Sequence, residues 1–237
     1  TVFGQVEQKQ NPTDFLPKGF VIFEIINGDL NKDSIEDCVL VIKGTDKNNI
    51  VTDEYRGQQD RNRRGIIVLF NRNGHYELVA KNYDCFSSEN EDGGGYFAPE
   101  LSIDINKGNL YALYQHGRYG YWKYTFRYNN SDFELIGYDQ SDNRGPVIES
   151  ETSINFLSKK IQKKVNTNEN AEGGDEVFKE TWTNIIVDKL IKLSEIKDFD
   201  ELDMSVYWLL VHDNFSIDWY SDINVNNSVI SIMEINM

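Results

Sequence analysis

The stretch FVIFEIINGDLNKDSIEDCVLVI, Phe20–Ile42, decides the fold. Phe20–Ile26 is an apolar run rich in β-branched residues, and Cys38–Ile42 is five apolar residues in a row. Branched and aromatic side chains suit a pleated surface, and runs this short have the length of strands. Between them lies Gly28-Asp29-Leu30-Asn31-Lys32-Asp33-Ser34-Ile35-Glu36-Asp37, dense in the Asp, Asn and Ser of turns. The spacing predicts a hairpin with an acidic tip.

The same grammar continues outward. Gly65–Phe70 reads as a strand, Asn73-Gly74 as a hairpin turn and Tyr76–Ala80 as the return. Leu101–Ile105 alternates, turns through Lys107-Gly108-Asn109 and returns as Leu110–Tyr114; Gly120–Tyr128 turns through Asn129-Asn130 into Phe133–Tyr138. Successive antiparallel hairpins predict a mainly β fold with blade-like or sandwiched sheets. Thr45–Arg64 is a long polar excursion. Ile154–Val165 fits a strand pair or a short helix, Val177–Ile185 alternates, and Ile186–Phe199 fits a helix or a strand plus loop. At most one or two short helices are expected in the C-terminal third. Val206–Val211 is strongly apolar, and Val225–Ile235 reads as a closing strand.

The chain has 237 residues, 39% hydrophobic and 27% charged, which suits a globular fold with a sizeable core. Residues 1–16 read as a signal-peptide remnant and flexible lead-in, and 17–237 as a single β-rich domain. A subdivision near Gly145-Pro146 is the alternative. Thr1-Val2-Phe3-Gly4-Gln5 looks like the end of a signal peptide cleaved after Gly4, so a periplasmic or secreted location is expected. No run of 18 apolar residues is present to span a membrane. The net charge of −15 repels phosphate backbones, which argues against nucleic acid and suits divalent cations or a basic protein. Cys38 and Cys85 either pair in an oxidising compartment or stay as two buried thiols.

In the acidic turn, oxygen-bearing side chains fall at relative positions 1, 3, 5 and 9, namely Asp29, Asn31, Asp33 and Asp37, and Ile35 would offer its carbonyl at position 7. Calcium takes about six to eight hard oxygen ligands, and a tight turn supplies them from one segment. Aspartates crowded this closely repel one another without a cation. One structural Ca2+ is therefore expected, against the alternative of a metal-free Asx-rich loop. The turn is no EF-hand: Ser34 replaces its glycine, Leu40 stands where a bidentate Glu is needed, and a strand follows.

Tyr111–Tyr128 is the aromatic centre of the chain. His116, Arg118, Tyr119, Tyr121 and Trp122 are its candidate ligand- or partner-binding residues, since aromatic faces with polar tips grip sugars and peptides. Cross-strand packing is the alternative, with even positions of the strand in the core and odd ones exposed. Ser87–Gly95 reads as a mobile acidic loop, or as a second, weaker cation site or a partner-binding loop. Arg56, Arg61, Arg63 and Arg64 form a basic cluster that counterweights the acidic surface. No GxSxG elbow or HExxH occurs, and His75, His116 and His212 lack metal-ligand spacing. No catalytic residues are assigned. The expectation is an exported, non-enzymatic binding or interaction protein. The alternatives are an immunity or inhibitor protein against a basic toxin or hydrolase, and a carbohydrate-binding or carbohydrate-active protein.

The segment Gly28–Ile42 resembles FG-GAP and VCBS repeats, the calcium-turn units of integrin-type β-propellers, in which an Asp/Asn-rich turn precedes an apolar strand. Arg64–Tyr83 continues the resemblance loosely as the next strand pair of a blade. Ser34 stands where those repeats usually carry Gly. YTFRY at Tyr124–Tyr128 and FELIG at Phe133–Gly137 are similar to segments of a group of exported proteins of Bacteroidetes-type bacteria. That resemblance implies export and assigns no activity.

Overall fold

The structure, a computed structural model, describes residues 6–90, 99–129 and 131–207. Its strands are β1 (Gln8–Lys9), β2 (Phe20–Gly28), β3 (Asp37–Gly44), β4 (Ile50–Asp53), β5 (Gly57–Asp60), β6 (Arg64–Asn71) and β7 (Tyr76–Phe86), followed by β8 (Glu100–Asn106), β9 (Asn109–Gln115), β10 (Gly120–Tyr128), β11 (Phe133–Arg144), β12 (Val147–Asn155), β13 (Lys160–Asn166) and β14 (Phe178–Asn184). One sheet has the order β1-β7-β6-β3-β2, a second runs as a plain meander from β8 to β14, and β4-β5 is a separate hairpin inside the polar excursion. Every pairing is antiparallel. The fold is mainly β, built as two packed sheets. Ile154–Val165 resolves into the end of β12 and nearly all of β13, and Gly145-Pro146 is the β11–β12 turn inside one continuous sheet.

β3 and β6 are apolar at successive positions, so both of their faces need cover. Val39, Val41, Ile66, Val68 and Phe70 face the larger sheet and pack with Leu110, Ala112, Tyr124, Phe126 and Leu135. Cys38, Leu40, Ile42, Ile67 and Leu69 face the other way, onto Phe15, Leu16, Phe20, Leu78 and Tyr83. Phe15 ends a short 3-10 turn, Pro12–Phe15, and is buried. The lead-in is therefore partly anchored: β1 pairs with β7, and Phe15 closes the second core. Thr1–Gln5, with the cleavage site read there, lie outside the described residues.

Ile186–Phe199 is neither a helix nor a strand. Apart from a 3-10 turn at Leu193–Glu195 it is irregular chain, and it wedges between the sheets. Phe199 stacks on Phe86 at 4.9 Å and meets Tyr124 edge-on at 4.9 Å. Its amide donates to the Cys85 carbonyl at 3.0 Å. The Asn82 amide group donates to the carbonyls of Leu193 and Ile196 at 2.9 and 2.6 Å, so the irregular backbone is satisfied where it is buried. Val225–Ile235 and most of Val206–Val211 lie outside the described residues. Among the described residues no helix is long and apolar enough to cross a membrane.

Cys38 and Cys85 are both buried and unpaired. They sit on opposite faces of the five-stranded sheet, with β6 between their strands, so they do not meet. Burial, with Asp37 beside it, pushes the Cys38 thiol up to about 11; burial pushes Cys85 up as well. Both thiols should resist a thiol reagent in the native protein at neutral pH and react once it is unfolded, counted by absorbance. Phe199→Ala should cost about 3–5 kcal/mol in a denaturant titration, because it empties the wedge between the sheets.

Candidate functional site

The acidic turn links β2 to β3. Lys32 and Ser34 take the left-handed conformation, with φ of 64° and 69°, which reverses the chain within a few residues. Asp29 accepts from the amides of Asp33 and Ser34 at 3.2 and 3.0 Å. Asn31 accepts from the Asp33 amide at 2.8 Å, and Asp33 accepts from the Ile35 amide at 2.9 Å. The oxygens of Asp29, Asn31 and Asp33 are thereby folded over the turn's own backbone. Arg72 approaches Asp33 at 3.6 Å and pairs with Glu77 at 2.7 Å. Among the described residues no group of three His, Cys, Asp or Glu side chains is gathered as a metal cluster. A cation here would draw on the Asn31 amide oxygen and the Ile35 carbonyl as well as carboxylates. That all-oxygen set fits calcium chemistry and not zinc.

Asp37 differs from the other members of the set. It is fully buried. Its Oδ2 accepts from the amides of Leu30 and Asn31 at 2.9 and 3.3 Å, and its Oδ1 accepts from the Asn71 amide at 3.0 Å. Burial raises its pKa, the amides of Asn71, Leu30 and Asn31 pull the other way, and the Asp33 charge adds to the rise. Asp37 thus clamps the turn to the end of β6, with or without an ion.

The aromatic strand divides by face. Tyr124 and Phe126 are buried in the core, and Trp122 packs against it, stacked on Tyr114 at 5.4 Å. His116 meets Trp122 edge-on at 6.3 Å and Tyr119 at 5.2 Å. Arg118 and Tyr119 belong to the short 3-10 turn Gly117–Tyr119 that precedes β10. Tyr121 points to the other side of the sheet. The structure therefore groups His116, Tyr119 and Trp122 and sets Tyr121 apart from them.

Tyr121 lines a shallow concavity of about 210 Å³ on the outer face, with Asp139, Glu151, Ser153, Gln162 and Lys164. The register explains why. Cross-strand neighbours share a face, so one row crosses five strands as Tyr121, Ser141, Glu151, Lys164 and Glu180. The next row runs Lys123, Asp139, Ser153, Gln162 and Trp182. Lys123 pairs with Asp139 at 3.0 Å, Ser153 donates to Asp139 at 2.7 Å, and Lys164 pairs with Glu151 at 3.0 Å. Burial, then the Asp139 charge, raises the Tyr121 pKa. Trp182 ends its row 61% exposed, and its Nε1 donates to Glu180.

Arg56, Arg63 and Arg64 of the basic cluster are engaged internally. Arg63 bridges Asp84 and Asp198, each at 2.9 Å, Arg56 lies 3.8 Å from Asp53, and Arg64 is buried and donates to the Ser87 carbonyl. The start of the loop at Ser87 is anchored too: Ser87 and Ser88 are buried, and Glu89 holds Lys43 at 2.8 Å. Glu91–Gly95 lie outside the described residues, as does His212.

Sequence reading missed Asp139, Glu151, Ser153, Gln162, Lys164 and Trp182. Each stands on a polar position of an alternating strand, and only the register across β10–β14 brings them together. Asp37→Ala should destabilise by about 3–4 kcal/mol, since it orphans three backbone donors. Asp37→Asn should cost about 2–3 kcal/mol, because an amide sets a donor against a donor. Asp33→Ala in metal-free buffer should change stability by less than about 1 kcal/mol, read from the same denaturant midpoints. Comparison with protein-family models, curated proteins and solved structures finds no match.

Proposed function

We propose that this chain is a non-enzymatic binding protein that works in the periplasm or outside the cell, with the outer face of the seven-stranded sheet as its recognition surface. The observation behind this is the concavity on that face, where Tyr121 sits among matched acid, amide and ammonium groups. The two carboxylates in it, Asp139 and Glu151, each face a lysine. Such pairing balances charge across a surface, whereas a general acid needs an environment that keeps it protonated. If soluble polysaccharides or peptides are cleaved by the protein and Asp139→Asn or Glu151→Gln stops the cleavage, the non-enzymatic reading is wrong.

The Asp29–Asp37 turn is proposed as a structural calcium site, with Asp29, Asn31 and Asp33 as exchangeable ligands, Ile35 giving a carbonyl, and Asp37 as the buried member. Exported modules commonly bind calcium at roughly 10⁻⁴–10⁻³ M, which suits a turn open to solvent. A ligand that binds only the folded state at about 100 times its Kd adds roughly 2.7 kcal/mol. For a domain of this size that is roughly 5–10 °C in Tm. Calcium should raise the melting temperature against EDTA by that order, and Asp29→Ala should remove the difference. Equal melting curves in calcium and EDTA would refute the site.

An inhibitor or immunity protein against a basic toxin or hydrolase is the second reading, favoured by the net charge of −15.

A further inference from the structure

We infer that the outer face of the seven-stranded sheet takes a neutral, extended polysaccharide lying across the strands from Tyr121 to Trp182. This rests on reading that face as the recognition surface and adds the chemical class of its ligand.

Charge excludes the alternatives first. The chain carries −15 overall, yet in this band Asp139 is matched by Lys123 and Glu151 by Lys164, and the third carboxylate, Glu180, accepts from the Trp182 indole and lies within the field of Lys164. A basic protein would seek unmatched carboxylates, and a phosphate-bearing chain would seek unmatched cations. A neutral ligand needs neither, and avoids the desolvation cost of an unpaired charge.

Hydrogen-bonding capacity points the same way. The Tyr121 hydroxyl and the Gln162 carboxamide have no hydrogen-bond partner among the described residues, and both line the concavity. A phenol offers one donor and an acceptor, and a carboxamide offers two donors and an acceptor. A sugar hydroxyl is itself both donor and acceptor. Asp139 and Glu151 keep spare lone pairs, and their lysines hold them in place, so they can accept from hydroxyls without rearranging.

Shape suits an extended ligand. At about 210 Å³ the concavity is too small to enclose a typical small-molecule ligand, for which pockets run from about 300 Å³ upward. It suits a chain that passes over it. Trp182 stands directly opposite Gln162 on the neighbouring strand. Its Nε1 donates to Glu180, two residues back on the same face. Trp182 is 61% exposed, so apolar ring surface is open to solvent, the kind of surface on which the C–H face of a sugar stacks. From β10 to β14 is four inter-strand steps, roughly 19 Å, which is several sugar units.

The test is affinity electrophoresis of the whole chain in native gels containing soluble mixed-linkage β-glucan, soluble starch, α-mannan or arabinogalactan. At least one polymer should slow migration. Trp182→Ala and Gln162→Ala should each weaken that retardation by about tenfold. Tyr55→Ala, an aromatic 91% exposed in the β4–β5 turn, should leave it unchanged. Equal melting temperatures for all variants establish that they fold. Absence of retardation by every polymer, or retardation that survives Trp182→Ala and Gln162→Ala, overturns the polysaccharide. Cytochrome c, a cationic protein, is the parallel probe. If it alone binds, and the same substitutions weaken it, the ligand class is wrong and the recognition face stands. If neither probe depends on Gln162 or Trp182, both readings fall.

Discussion

Two strands that are apolar on both faces impose the architecture. An antiparallel sheet can leave one face wet, but β3 and β6 cannot, because Cys38, Leu40, Ile42, Ile67 and Leu69 are as apolar as the residues between them. The inner residues are covered by the larger sheet. The outer ones need a second cover, and the chain supplies it from its own beginning, through Phe15 and Leu16. The small N-terminal elements are therefore part of the core of the five-stranded sheet. Burying each of these side chains contributes about 1.5–3 kcal/mol, so losing the cover would expose a patch worth several times that.

Closure at the ends of this sandwich is polar and local. Asp37 ties the acidic turn to β6 through main-chain amides on both sides. Phe199 and Asn82 do the corresponding work for the irregular C-terminal wedge, one by ring packing and one by capping buried carbonyls. Lys43 makes a third such point. Burial works against its charge, but Glu89 and Asp60 outweigh that and raise its pKa overall. Each point satisfies a buried polar group that would otherwise cost about 1–3 kcal/mol.

The hairpins were legible in the sequence because their signals are local. An Asn-Gly or Lys-Gly-Asn turn and two-residue alternation report on neighbours a few positions apart. Even the division of β10 into a core side and an outward side followed from parity alone. The proposed binding band was not legible, because it is a property of register across five strands. Trp182 and Tyr121 are 61 positions apart in the chain and share a band only because four turns set the pairing. The same limit applies to Ile186–Phe199, where apolar spacing fitted a helix or a strand plus loop although the residues serve as an irregular wedge. Asp37 shows a third kind of gap. Its place in an acidic string suggested a ligand, while its contacts with Asn71, far along the chain, make it a clamp as well.

Geometry also separates the acidic turn from the proposed recognition face. Lys32 of the acidic turn lies against Gly108, in the tip joining β8 to β9. Asn109, next to that tip, is opposite Arg127 at the far end of β10. Tyr121 is six residues back along the same strand, roughly 20 Å away at the strand rise. The acidic turn and Tyr121 therefore mark opposite ends of the sandwich, and no single ligand of modest size touches both. A cation at the turn acts on binding only through the stability of the fold. Loss of calcium should then lower the melting temperature and leave the affinity of the folded protein unchanged. A coupled drop in affinity at temperatures well below melting would require a rigid connection along β10.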